Sequence, residues 1–390
     1  MMVLKLAVKN LAGAGIRTWL NVAVLSISFV AIIFLQGLYN GMNEQASRAL
    51  VDTFYGGGQY WHKNYDPYDA LTLDDAHAPL PQALKSMIDT GRAVPILISQ
   101  AAAFPNGRMV SLQLKGIPAR ETFLAIPSAA LQDDSGEIPA LIGTRTAKKL
   151  KLNEGDYLTV RWRDRSGAFD AVDVKIVHIM KTTVPQVDVG TVWLPLDRLA
   201  QMLDLPDEAT LVVIRPSAPV PGEFEGWSFK SLDELLSDLR QVVKQKSASA
   251  SILYLLLMFL GLLAIFDTQV LSIFRRQKEI GTLIALGMTR SQVIGLFTLE
   301  GALHGVLAAL MGALWGFPIM ATMARKGWKL PGYSDDFGLA IGERLYPLYS
   351  AALIIGTTLL VLISVTIVSW LPTRRIARMN PTDALRGRRK

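Results

Sequence analysis

The chain has 390 residues, 51% hydrophobic and 19% charged, with the apolar residues gathered into a few long runs, which marks a membrane protein. Its net charge of +7 is no argument for nucleic acid: three basic residues fall in 1–17, four in 275–290 and seven in 374–390, each group flanking an apolar run. The absence of cysteine excludes disulfides, thiolate metal sites, a cysteine nucleophile and a thioether-linked lipid.

In chain order, Lys5, Lys9 and Arg17 accompany Leu4, Ala7, Val8 and Leu11 at helical spacing, and the apolar run 18–39 follows. That run is longer than the roughly 7–15 apolar residues of a signal peptide and lacks a small-residue cleavage site. Residues 1–42 therefore read as a cytoplasmic amphipathic segment and a retained first span. From 43 to 246 no run approaches span length. Alternation predicts strands at 109–114, 157–162, 172–177 and 191–194, and helical spacing predicts helices at 80–87, 145–150, 196–203 and 232–243. This is an α+β extracytoplasmic domain, punctuated by turns at 56–58, 105–107, 153–156 and 216–222.

A Ser-rich hinge, 247–251, opens the second span, 247–274, which carries Asp267. An intramembrane carboxylate is expensive and by default marks function, with a packing or cap-like hydrogen bond as the alternative. Residues 275–292 form a short basic connection in which Ile280, Leu283, Ile284 and Gly287 recur at i, i+3, i+4, i+7, giving a helix with one apolar face suited to a groove on a soluble partner. The third span, 293–324, places Glu300 and His304 on one face. Gly301, Gly305, Gly312 and Gly316 give it two G-x-x-x-G spacings that permit close helix approach. Antiparallel spans bring Asp267 and Glu300 to similar depth, so Asp267, Glu300 and His304 either cluster or are satisfied separately. A short outer loop, 325–347, the fourth span, 348–371, and a basic cytoplasmic tail, 372–390, complete the chain.

The run Arg276-Gln277-Lys278-Glu279-Ile280-Gly281-Thr282-Leu283-Ile284-Ala285-Leu286-Gly287, continuing through Phe297 and Glu300-Gly301, resembles the FtsX-like permease family of ABC transporters. Leu6-Ala7-Val8-Lys9-Asn10-Leu11 and Arg374-Arg375-Ile376-Ala377-Arg378 through Pro381, Asp383-Ala384-Leu385-Arg386 are similar to that family's two ends. Within the domain, Gly58 to Tyr65, Leu141 to Asp156 and Val192 to Leu196, and beyond it Gly342 to Pro347, resemble the lipoprotein-release (LolC/LolE type) branch, from which Tyr60-Trp61-His62 departs.

The resemblance implies an α-helical membrane protein with four transmembrane helices and a large α+β extracytoplasmic domain inserted between helices 1 and 2. It implies that Arg276, Lys278, Glu279, Ile280, Gly281, Leu283, Leu286 and Gly287 form a coupling segment resting on a separate cytoplasmic ABC ATPase subunit. ATP and Mg would be bound by that partner, and no cofactor by this chain. Further implied partners are a second permease copy or homologue, forming a dimer, a periplasmic carrier or adaptor, and membrane lipids. The implied location is the bacterial inner membrane, with both termini cytoplasmic.

The four histidines, His62, His77, His178 and His304, are dispersed, and the chain has no Walker A motif, no H-E-x-x-H and no G-x-S-x-G. The expectation is a non-enzymatic subunit. Two functional classes remain: a permease that releases or exports a lipoprotein or other amphiphile, and a mechanotransmission element that drives an external partner such as a cell-wall hydrolase. Four spans without an evident hydrophilic lining suit the first better than a water-filled route.

Overall fold

The computed structural model describes residues 15–132, 136–220, 222–329 and 344–374. The expected amphipathic start before residue 15, most of the expected outer loop (330–343) and the basic tail from 375 lie outside the described residues. Leaving single turns aside, the helices are α1 (Ile16–Leu50), α2 (Gln82–Asp89), α3 (Thr144–Leu150), α4 (Leu196–Leu203), α5 (Ser237–Arg275), α6 (Gln277–Ala285), α7 (Arg290–Lys326) and α8 (Ala351–Thr373). The main strands are β1 (Gln59–His62), β2 (Ala93–Ala103), β3 (Val110–Ile117), β4 (Ile138–Gly143), β5 (Tyr157–Arg163), β6 (Phe169–Met180), β7 (Thr191–Pro195), β8 (Leu211–Ile214) and β9 (Trp227–Lys230). Contacts divide the chain into a helical unit, drawn from 1–42, 242–329 and 344–390, and an α+β unit built on 43–241.

In the helical unit α5, α7, α8 and the stretch Thr18–Tyr55 opened by α1 are each long and apolar enough to cross a membrane. Val22, Leu25, Phe29, Val30 and Ile33 of α1 pack with Ile265 of α5, Ala308 and Met320 of α7, and Val361 and Val365 of α8. Outward-facing leucines and phenylalanines such as Leu256, Phe259, Leu314 and Phe317 remain exposed, as a lipid-facing surface requires.

Helix boundaries differ from expectation in two places. The Ser-rich stretch 247–251 is no hinge but an unbroken part of α5, within which the Ser249 and Ser251 hydroxyls turn back onto the carbonyls of Gln245 (3.2 Å) and Ser247 (3.0 Å). The expected helix 232–243 is split: a turn at Leu232–Leu235, capped by the Ser231 side chain, precedes α5.

The α+β unit carries a nine-stranded mixed sheet in the order β9-β1-β8-β2-β3-β7-β4-β6-β5, with β2 also pairing β5. That extra pairing, Ala101 to Ala103 against Trp162 to Val160, closes six strands into a barrel, from which β8, β1 and β9 extend along the first half of β2. The pairs β3–β7 and β4–β6 are parallel and the rest antiparallel. In β5 burial alternates strictly, sending Leu158, Val160 and Trp162 inward. There they meet Leu112, Leu114, Ile142, Val174 and Leu194, with Leu199 and Leu203 of α4 packed against the same core. A second core under α2 gathers Tyr60, Leu84, Met87, Val212 and Trp227.

Candidate coupling site

The connection between α5 and α7 is built outward from Arg276. A single nitrogen of its guanidinium, Nη1, donates to both carboxylate oxygens of Glu300 of α7, at 2.9 and 3.2 Å, and Nε donates to Glu279 at 2.6 Å. The same group lies over the Phe297 ring, 4.8 Å from its centroid. Arg276 leaves helical geometry with φ −102° and ψ 22°, so α5 stops and α6 starts with a change of direction. At the other end Gly287 takes φ +100°, a conformation that a side chain would strain, and Thr289 opens α7 with a reciprocal capping box to Gln292.

The apolar stripe of α6 is satisfied inside the chain. Ile280 is fully buried against Ile273 of α5 and Val293 and Phe297 of α7, while Leu283, Ile284 and Met288 pack partly against the same cluster. Ile280 and Gly281 therefore face inward, and Ile280 is not available to fill a groove on another protein, contrary to the expectation from its spacing. The reason is proximity: a nine-residue helix with one apolar face, tethered at both ends to long helices, covers that face on its own supports first. Lys278, Glu279, Thr282, Ala285, Leu286 and Gly287 face outward, with the Glu279 side chain 61% exposed and Leu286 79% exposed.

The three intramembrane polar residues do not form one cluster. Glu300, 8% exposed at its side chain, belongs to the Arg276 pair. His304 lies one turn on, its Nδ1 2.9 Å from the Glu300 carbonyl oxygen, and Asp267 is on the exposed face of α5. Two side chains that spacing did not single out share this level of the bundle. A Cβ at Gly301 would collide with Ser369 of α8 and come within 3.0 Å of Gln269 of α5, so the missing side chain is what lets the helices meet. Ser369 is flanked by the apolar Val368 and Trp370, whereas Gln269 directly follows Asp267 and Thr268, so only Ser369 stands out in the sequence as a lone polar residue.

The four glycines of α7 divide between two neighbours. Gly301 and Gly305 approach α8, and a methyl group placed on Gly305 would lie 3.1 Å from Leu362 and 3.3 Å from Val365, whereas Gly312 and Gly316 approach Phe29 and Val30 of α1.

Residues 251–381, which hold this site, match the family of the FtsX-like permease C-terminal domain. Among curated proteins the chain is similar to an uncharacterized ABC transporter permease of Methanocaldococcus jannaschii, 27% identical over 33% of this chain and 30% of that one. It is similar to the macrolide export ATP-binding/permease protein MacB of Psychrobacter arcticus, 23% identical over 38% of this chain and 21% of the relative. The MacB protein of Sodalis glossinidius is 19% identical over 98% of this chain and 60% of its own length. The chain thus spans from about a fifth to three fifths of the length of these relatives. The stretch from 251 to 381, containing the short helix and the long helices on either side of it, is thus similar to FtsX-like permease C-terminal domains.

Proposed function

We propose that this chain is a permease subunit in which α6 receives the stroke of a cytoplasmic ATPase subunit and passes it to α5 and α7, moving the α+β unit so that a lipoprotein or other amphiphile is released from the membrane. One observation carries the reading: α6 is clamped to both long helices, by Ile280 in the apolar cluster and by Arg276 on Glu300, while its opposite face is exposed. A helix held that way transmits force, whereas an unsupported loop would absorb it. In this reading α6 and both termini are cytoplasmic, the α+β unit is extracytoplasmic, and two permease copies or homologues flank one ATPase pair. Release of a lipoprotein or other amphiphile fits spans that present apolar side chains outward. The name MacB on the relatives is that of macrolide exporters, so a small amphiphile is the neighbouring outcome.

The experiment is copurification and ATPase stimulation with two outward-face variants, Glu279→Lys and Leu286→Asp. Both are expected to lose the ATPase, or its stimulation, while inserting and folding normally. Full copurification and stimulation in both would show that α6 is a structural turn and nothing more.

A further inference from the structure

The α+β unit holds a cleft of about 970 Å³ that the permease reading does not use. Its volume is at the upper end of the roughly 300–1,000 Å³ typical of small-molecule sites. Aromatic side chains line it: Phe54 and Tyr55 in the turn that follows α1, Trp61 on β1, and Tyr65 and Tyr68 in the loop after it. Trp61 and Tyr65 meet edge to face with centroids 5.1 Å apart.

The floor is the outer face of β3, where Ser111, Gln113 and Lys115 recur every second residue. Lys115 is only 4% exposed. Its ammonium donates to the Gln186 carbonyl at 2.8 Å and lies over the rings of Phe54 (4.8 Å) and Trp193 (5.5 Å). Among the described residues it has no carboxylate partner. The acids around the cleft are already engaged: Glu234 with Lys230 at 2.6 Å, Asp238 with the Tyr68 hydroxyl, and Asp66 with the Tyr68 backbone N–H at 2.9 Å. The cleft thus pairs aromatic walls with one buried cation whose only hydrogen-bond acceptor is neutral.

We infer that this cleft binds a small planar anion, an aromatic body carrying one carboxylate or sulfonate, with the ring between the aromatic walls and the acid on Lys115. A neutral ring would gain the stacking but leave the ammonium as poorly served as before. Burial holds the Lys115 ammonium down at about 8, so near neutral pH it is charged against a desolvation cost that an anion offsets. This inference stands apart from the permease reading, because binding is measured without ATP or a partner, and failure of either leaves the other in place.

The test is calorimetric titration of the full chain in nanodiscs with naphthalene-2-sulfonate and with its neutral counterpart naphthalene-2-sulfonamide, with empty nanodiscs subtracted. The sulfonate is expected to bind about tenfold more tightly or better, the scale of one charge-assisted hydrogen bond, and Lys115→Met to bring the two within about twofold. Trp61→Leu, which removes part of the aromatic wall and no partner of a carboxylate, should weaken both ligands alike and keep their ratio. Equal affinity in the wild type, no binding of the sulfonate, or a preference that survives Lys115→Met would each overturn the inference. The wild-type comparison decides even if the Lys115 variant does not fold.

Discussion

Arg276 is the residue on which the short helix depends, because one guanidinium ends α5, pairs Glu279 and satisfies the buried Glu300. Removing one partner of a buried ion pair costs about 3–5 kcal/mol, mostly because the other charge is left unpaired. Arg276→Ala should therefore loosen α6, seen as faster amide exchange across 277–285 with α8 unchanged. Arg276→Lys should not rescue it, since a single ammonium nitrogen cannot reach Glu279 and Glu300 at once as Nε and Nη1 do. Unaltered exchange in both variants would show that the apolar cluster alone holds the helix. Lys115 makes a prediction of opposite sign. Its folded value is about 8 against 10.5 for the free side chain, so the folded state sheds its proton first. Below about 8 the lysine is charged in both states and its full burial penalty applies, about 3 kcal/mol by the size of the shift. Between about 8 and 10.5 stability should rise with pH as that penalty fades. Lys115→Met should be more stable than wild type at pH 7, with the gap in melting temperature closing by about pH 10.5; a constant gap would refute the burial account.

At the scale of elements, α7 is the helix around which the membrane bundle closes. Its small residues let two different neighbours approach at two different levels, α8 at Gly301 and Gly305 and α1 at Gly312 and Gly316. In lipid such contacts rest on close packing rather than on exclusion of water, so a bulky side chain there has nothing to compensate it. Gly305→Leu should separate α7 from α8 and leave the α1 contact, and Gly312→Leu should do the reverse. Cysteine pairs placed across each contact would report this by crosslinking, free of background because the chain has no native cysteine. Crosslinking retained across both contacts in both variants would show that the bundle does not rely on these glycines. Gly301 is a poorer test, because its replacement also displaces Gln269 and Ser369 and so mixes packing with polar satisfaction.

For the whole molecule the proposed orientation has a direct consequence. Ala285→Cys on α6 should be shielded from an impermeant thiol reagent added to intact cells, and Tyr157→Cys, on an exposed position of β5, should be labelled. Labelling of position 285 from outside would reverse the orientation and remove the ATPase from the scheme. The sequence by itself determined the four long apolar helices and the α+β region between the first and second, because span length and the two periodicities of helix and strand are local properties of a chain. It also marked α6 as amphipathic, since Ile280, Leu283 and Ile284 declare one face. What that face meets was decided only by the tertiary structure: Ile280 is covered by Ile273, Val293 and Phe297, side chains up to 17 residues away, and no spacing rule reports who covers a stripe. The barrel closure of β2 on β5 joins strands about 60 residues apart, and the match of Arg276 to Glu300 crosses 24. The Lys115 cleft arose the same way: a lysine in an alternating strand reads as solvent-facing until Phe54 and Trp193, from two other parts of the chain, are folded over it. Periodicity fixes which residues share a face, and only long-range packing fixes what that face is pressed against.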